Sequence, residues 1–137
     1  SIEASVSSVP VVGRIKAGEP VMSEENIEGH ISLSKVEKSG SFFLKVEGDS
    51  MKDKGILEGD YALIRPSKHI DNGAVGAFRI NGEVTLKRFK MEKGRIRLVP
   101  ANEAYSVIEV SEDDEFEVIG VMTALVRLTE GGYDIKS

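Results

Sequence analysis

The feature that most constrains the fold is a series of short segments rich in Val, Ile, Phe and Tyr, separated by Gly, Asn, Asp and Pro. Such residues fit a pleated, half-buried surface, whereas the separators end strands and form turns. The segments follow one another along the chain as FFLKVEG, DYALIRP, AVGAFRI, EVTLKRF, GRIRLVP, YSVIEV and FEVIGVMTALVRL. The pattern predicts a mostly β fold, a compact and twisted antiparallel domain of barrel-like or sandwich type with little helix.

Two hairpin turns are indicated within this series. Asn81-Gly82 stands between β-type residues, and this dipeptide favours a type I′ turn because both central positions need positive φ. A second hairpin is predicted at Glu92-Lys93-Gly94. Helix is expected only as a turn or two between Ser50 and Gly55.

The chain predicts one domain preceded by a short arm. Residues 1–8 are rich in Ser and small side chains, which is typical of a linker or flexible arm. Residues 9–137 are long enough to bury a core without disulfides, and PVVGRI predicts a strand. It runs into an exposed loop at about residues 13–24, where Gly18 and Pro20 oppose regular pairing. Because the chain begins at Ser1 rather than Met, we expect a fragment of a longer protein.

Composition excludes several classes of site. The chain has no cysteine, and His30 and His69 lack ligand spacing, so we expect no metal and no cofactor. The net charge of -5 argues against nucleic-acid binding by this chain itself. One basic cluster is explained as the solvated faces of two adjacent strands; it comprises Lys87, Arg88, Lys90, Lys93, Arg95 and Arg97. No signal peptide and no apolar run of about 18 residues is present, and we expect a soluble, cytoplasmic protein.

The stretch EGDSMKDKG, residues 47 to 55, allows two roles for Ser50. Its hydroxyl suits the cap of a short helix, and it also suits a nucleophile if a base removes its proton. With no credible histidine, that base would be a lysine whose pKa is lowered by burial. In a strand, Lys87 and Lys90 of EVTLKRFK point to opposite faces, and periodicity alone does not choose between them.

Three blocks carry a resemblance to a known family. In this order, GRIKAGEP, EGDSMKDKGILEGD and NGEVTLKRFK resemble the C-terminal self-cleaving domain of LexA-type repressors. That family of Ser-Lys peptidases also includes phage repressors and UmuD-type polymerase accessory proteins. The similarity runs from about Val9 to Arg127, which is nearly the whole chain.

The resemblance implies a role for each matching residue. Ser50 is expected to be the nucleophile, Lys87 the general base, and the Ala17-Gly18 peptide bond the substrate of an intramolecular cleavage. Small side chains at Ala17 and Gly18 suit the entry of the backbone into a narrow cleft. The resemblance also implies supporting groups, namely the backbone N–H groups of Asp49 and Ser50 as an oxyanion hole, and Val12 and Ile15 as apolar anchors that dock the loop.

The resemblance also implies partners. A RecA filament on single-stranded DNA is expected to stimulate cleavage, which would separate a DNA-binding N-terminal domain, absent from this chain, from a dimerising C-terminal domain. Loss of the linked dimer would weaken operator binding and relieve repression of DNA-damage (SOS) genes. The apolar stretch Phe116 to Leu128 matches the dimer region of the family, although a buried core strand explains the same residues.

Three alternatives stay open at this point. A UmuD-like accessory protein would be activated by the same cleavage, but the Ala-Gly bond, its GRIKAGEP context and the Ser-rich start favour a repressor. A signal peptidase shares the GDSM nucleophile and a lysine base, yet needs a membrane anchor and an apolar membrane-facing patch. A non-enzymatic β-rich dimerisation or ligand-sensing module would use Ser50 only as a cap.

Overall fold

A computed structural model describes residues 6–13, 15, 18–34, 40–129 and 132–136, and in them the mostly β prediction is confirmed. Ten strands join in one sheet. They are β1 (Val6–Val12), β2 (Ile27–Ser34), β3 (Phe42–Lys45), β4 (Tyr61–Pro66), β5 (Val75–Ile80), β6 (Glu83–Glu92), β7 (Arg95–Val99), β8 (Ile108–Val110), β9 (Phe116–Thr129) and β10 (Gly132–Lys136). Two short 3-10 helices span Glu24–Asn26 and Lys52–Lys54. No helix in these ranges is long and apolar enough to cross a membrane.

The sheet runs in the order β2-β1-β3-β4-β9-β5-β6-β7-β8, with β10 beside β9. Neighbouring strands are antiparallel except β1 and β3, which are parallel in the register Val11 to Phe43. Strand β1 begins at Val6, so residues 6–8 of the predicted arm are paired with β2. The end strands β2 and β8 do not pair with each other in the described residues, so the sheet is open.

Strand β9 joins the two halves of the sheet. It pairs with β4 on one side and β5 on the other, and its register shifts once against each of them. At Gly120 the neighbouring backbone lies so close that a Cβ would meet the Arg65 carbonyl oxygen at 2.3 Å, which explains the glycine. The buried Ile119, Leu125 and Val126 agree with the core-strand explanation for this apolar stretch.

Both predicted hairpins are confirmed. Ile80 pairs with Glu83 across Asn81-Gly82, whose φ angles are 50° and 85°. Glu92 pairs with Arg95 across Lys93-Gly94, with φ angles of 51° and 77°. Positive φ at both central residues is the type I′ signature, so each turn holds one end of β6.

Within the described residues, three apolar clusters form the core. The largest joins β1, β3, β4, β5, β6 and β9 and includes Val12, Met51 and Leu86, which places it beneath the segment that carries Ser50. A partly buried ion pair holds the loop that follows this segment: the Arg127 guanidinium donates to both carboxylate oxygens of the buried Asp60 at 2.7 Å and to the Gly55 carbonyl at 3.0 Å. Bidentate pairing of this kind fixes geometry as well as charge.

Candidate active site

Ser50 lies on a tight connection between β3 and the second 3-10 helix. Gly48, at φ 75°, makes the turn that aims the segment. The helix starts at Lys52, and the residue in the N-cap position is Met51, which makes no side-chain cap bond. The prediction of a short helix after Ser50 is confirmed, but the interpretation of Ser50 as its cap is wrong, because the Ser50 hydroxyl contacts a lysine instead.

That lysine is Lys87. Its Nζ donates to the Ser50 hydroxyl oxygen at 3.0 Å, although the two residues are 37 positions apart. It also donates to the Thr85 hydroxyl and, at 3.1 Å, to the Leu86 carbonyl. The strand face that holds Thr85 and Lys87 therefore faces the nucleophile, whereas Lys90 lies on the opposite face. The interpretation of the basic cluster as solvated is wrong for Lys87, which is only 6% exposed.

Burial lowers the pKa of the Lys87 ammonium below its usual value of 10.5. Its contacts in the described residues are neutral oxygens, so no carboxylate offsets the cost of burying the charge. A lysine of lowered pKa holds a free electron pair in a larger fraction of molecules at a given pH. Together with a hydroxyl at hydrogen-bond distance, this is the arrangement that general-base activation of a serine requires.

A cleft of about 530 Å³ opens beside Ser50. One wall comes from the first half of β6, and the other from the segment that runs from β3 into the nucleophile turn. The residues that line it include Gly13, Ile15, Leu44, Glu47, Ser50, Met51, Val84 and Thr85. The cleft thus has apolar lining residues together with the hydroxyl groups of Ser50 and Thr85, a mixture that suits the binding of a peptide segment.

The backbone at Asp49 and Ser50 offers two donors. Among the described residues, no acceptor pairs with the backbone N–H of either. An oxyanion forming beside Ser50 would need such unpaired, fixed donors. The prediction that these two groups form an oxyanion hole is compatible with this geometry, and it stays a prediction.

The predicted cleavage loop is described only in part. Val12 is fully buried, and Ile15 is 7% exposed and lines the cleft, so both predicted anchors pack beside the Ser50 segment. Gly18 is exposed with φ 79°, which suits glycine. The Glu19 carbonyl accepts from the Arg79 guanidinium at 3.3 Å. Ala17, the other partner of the predicted scissile bond, lies outside the described residues.

Sequence reasoning did not predict three further contacts of this site. Thr85 lies two residues before Lys87, and the alternation of strand side chains was a signal that could have placed it beside the lysine. The Asn102 amide donates to the Asp49 carbonyl at 2.9 Å, and the Tyr105 hydroxyl donates to the Asp49 carboxylate at 2.6 Å. No local pattern links these residues, because more than 50 positions separate them from Asp49.

No metal site competes for this role in the described part of the chain. No group of three or more His, Asp or Glu residues there is placed to hold an ion. His69 contacts Asp71 at 3.2 Å, and both side chains are exposed on the surface.

Comparisons with known proteins agree with the geometry. The model of the family described as Peptidase S24-like matches residues 10–123. The chain is similar to the LexA repressor of Geotalea uraniireducens (strain Rf4), with 43% identity over 129 residues that cover 92% of this chain and 64% of the relative. It is also similar to the LexA repressor of Bordetella avium (strain 197N), with 39% identity over 92% of this chain and 61% of the relative. The chain therefore spans somewhat less than two thirds of the length of these relatives, and it belongs to the Peptidase S24-like family.

Proposed function

We propose that this chain is the self-cleaving peptidase domain of a LexA-like transcriptional repressor, in which Ser50 and Lys87 cut the Ala17-Gly18 bond of the same chain. The observation that carries the proposal is the 3.0 Å contact between the Lys87 amine and the Ser50 hydroxyl at the edge of the cleft. Membership of a peptidase family supports serine-peptidase chemistry in general, and the contact supports these two residues as its agents.

The chemistry follows from the pair. Neutral Lys87 takes the hydroxyl proton while Ser50 Oγ attacks the Ala17 carbonyl carbon, and the backbone N–H groups of Asp49 and Ser50 receive the oxyanion. The C–N bond to Gly18 then breaks, the leaving amine takes a proton from the Lys87 ammonium, and an ester to Ser50 remains. Water, deprotonated by Lys87, hydrolyses this ester to free Ser50 and a carboxylate at Ala17.

An open strand edge supports docking of the loop. Within the described residues, β6 pairs with β5 over Glu83–Arg88 but with β7 only over Arg88–Glu92. The first half of β6 therefore has an unpaired edge, and its residues line the cleft. An extended segment can add to such an edge through main-chain hydrogen bonds, with Ile15 filling an apolar site. Docking would also exclude water from Lys87 and favour its neutral form.

Regulation and partners are part of the same proposal. The cleavage rate depends on the fraction of molecules in which the loop is docked in the cleft. A protein that favours the docked state therefore raises the rate without adding catalytic groups. We assign that role to a RecA filament on single-stranded DNA. The intact repressor would be a cytoplasmic homodimer that binds operator DNA through an N-terminal domain, and cleavage at Ala17-Gly18 in the loop at residues 13–24 would end SOS repression.

Two observations favour this assignment over the alternatives. The similar proteins are LexA repressors, which favours a repressor over a UmuD-like accessory protein. A buried lysine with lowered pKa beside a serine destabilises a fold, and a non-enzymatic dimerisation module would have no use for it.

Intact mass analysis after incubation at alkaline pH tests the proposal. We expect two products, residues 1–17 and 18–137, to appear slowly and with first-order kinetics independent of protein concentration, because the reaction is intramolecular. Ser50→Ala should stay intact under the same conditions. Cleavage by Ser50→Ala, or cleavage at another bond in the wild type, would overturn the assignment.

A further inference from the structure

The turn between β7 and β8 packs against the segment that carries Ser50. The Ala101 N–H donates to the Ser50 carbonyl at 2.7 Å, and the Ala101 carbonyl accepts from the Asp53 N–H at 2.9 Å. These two bonds hold the backbone after Ser50. The turn therefore acts as a brace for the nucleophile segment and is not simply a connection between strands.

Asn102 extends the brace to the other side of Ser50. Its side-chain amide donates to the Asp49 carbonyl at 2.9 Å, which is shorter than the 3.2 Å bond that the Lys52 N–H donates to the same oxygen. Its side-chain oxygen accepts from the Ala104 N–H at 2.9 Å. The residue is only 8% exposed. Because both ends of this buried amide are bonded, its orientation is fixed and water does not compete well for the Asp49 carbonyl.

The Asp49 carbonyl and the Ser50 N–H belong to one planar peptide unit and point in opposite directions. A bond that fixes the carbonyl therefore fixes the direction of the N–H. A donor on the carbonyl also polarises the peptide and makes its N–H a stronger donor. We propose that Asn102 is a positioning residue that orients the Ser50 N–H toward the oxyanion of the cleavage reaction, an inference that rests on the function proposed above.

Tyr105 supplies an internal control. Its hydroxyl also contacts Asp49, at 2.6 Å, but it bonds the exposed carboxylate and not the peptide carbonyl. Removing the Tyr105 hydroxyl leaves the peptide unit and its Asn102 bond in place. Comparing variants of the two residues therefore distinguishes a loss of peptide orientation, at Asn102, from a loss of attachment between the turn and Asp49, at Tyr105.

The test measures the rate of self-cleavage against pH in wild type, Asn102→Asp, Asn102→Ala and Tyr105→Phe, with urea unfolding of each. In Asn102→Asp the acceptor for the Ala104 N–H remains and the donor is lost, whereas Asn102→Ala removes both without adding charge. We expect both Asn102 variants to lower the alkaline plateau by about tenfold or more. In Asn102→Ala, which adds no charge, the midpoint of the pH profile should stay unchanged because the contacts of Lys87 are intact. Tyr105→Phe should keep the plateau within about twofold.

Other outcomes would overturn the inference. If a folded Asn102 variant reached the wild-type plateau rate of self-cleavage, Asn102 would not orient the Ser50 N–H. An upward shift of the midpoint in Asn102→Ala would indicate that water has reached Lys87, and unfolding of both variants would indicate a structural residue. Failure of the wild type to cleave would instead remove the proposed function, so the two failures are distinguishable.

Discussion

The two halves of β6 carry lysines three residues apart and place them in opposite surroundings. The first half has one strand neighbour in the described residues and a cleft on its open side; there Lys87 is buried against Ser50. The second half pairs with β7 instead of β5, and Lys90 stands half-buried across from Arg97. The difference teaches that burial beside Ser50 in the cleft, and not the lysine itself, creates the reactive group.

The largest expected effect comes from replacing each of the two lysines by alanine. Lys87→Ala should slow self-cleavage by about 10³-fold or more, because general-base catalysis contributes about 10² to 10⁴ and no other base contacts Ser50 in the described residues. Lys90→Ala is the matched control and should cleave within about twofold of wild type. Intact mass analysis at alkaline pH gives both rates. If Lys90→Ala were inactive while Lys87→Ala still cleaved, the base would be Lys90 and the assignment of Lys87 would be wrong.

The second prediction concerns the pH range in which Lys87, in the first half of β6, acts as a base. Burial lowers the Lys87 pKa from 10.5, and only the neutral amine accepts a proton from Ser50. The rate should therefore rise about tenfold per pH unit below that lowered pKa and level off before pH 10.5. Rates measured from pH 6 to 11 on folded protein check this. A rate still rising steeply beyond pH 10.5 would contradict a buried lysine base.

The two halves of β6 also show what the sequence could and could not predict. Strand alternation and both turns were predictable, because Asn81-Gly82 and Lys93-Gly94 act within a few residues of their own positions. Alternation placed Lys87 and Lys90 on opposite faces, but only the resemblance to a family chose between them. The burial of Lys87 and the brace at Asn102 depend on residues brought together from distant parts of the chain, and no local pattern encodes them.

The third prediction compares the two halves by stability, in a Ser50→Ala background that prevents cleavage. Below both the folded and unfolded pKa of Lys87 the buried ammonium destabilises the fold, so Lys87→Met should raise the free energy of unfolding at pH 7 by about 1 kcal/mol. Between the lowered pKa and 10.5 the unfolded chain holds a proton that the folded chain has lost. Stability of the Lys87 protein therefore rises with pH, and the advantage of Met should shrink across that window.

Urea unfolding at several pH values measures this advantage. Lys90→Met in the same background makes the same replacement on the opposite face of β6 and is the matched control. A gain for Lys87→Met that grows with pH would contradict the assigned direction of the pKa shift.

The smallest effect compares the turns at the two ends of β6. At the cleft end, Asn81 suits its φ of 50°, and its side chain also bonds Asp114 at 2.8 Å and the Glu115 N–H at 3.0 Å. At the far end, Lys93 adopts φ 51°, a conformation that Asn tolerates better than Lys. Lys93→Asn should therefore stabilise the Ser50→Ala protein by about 0.5 kcal/mol. Lys68→Asn makes the same charge change in an exposed loop without positive φ, and a gain of equal size there would show that charge and not turn geometry is responsible.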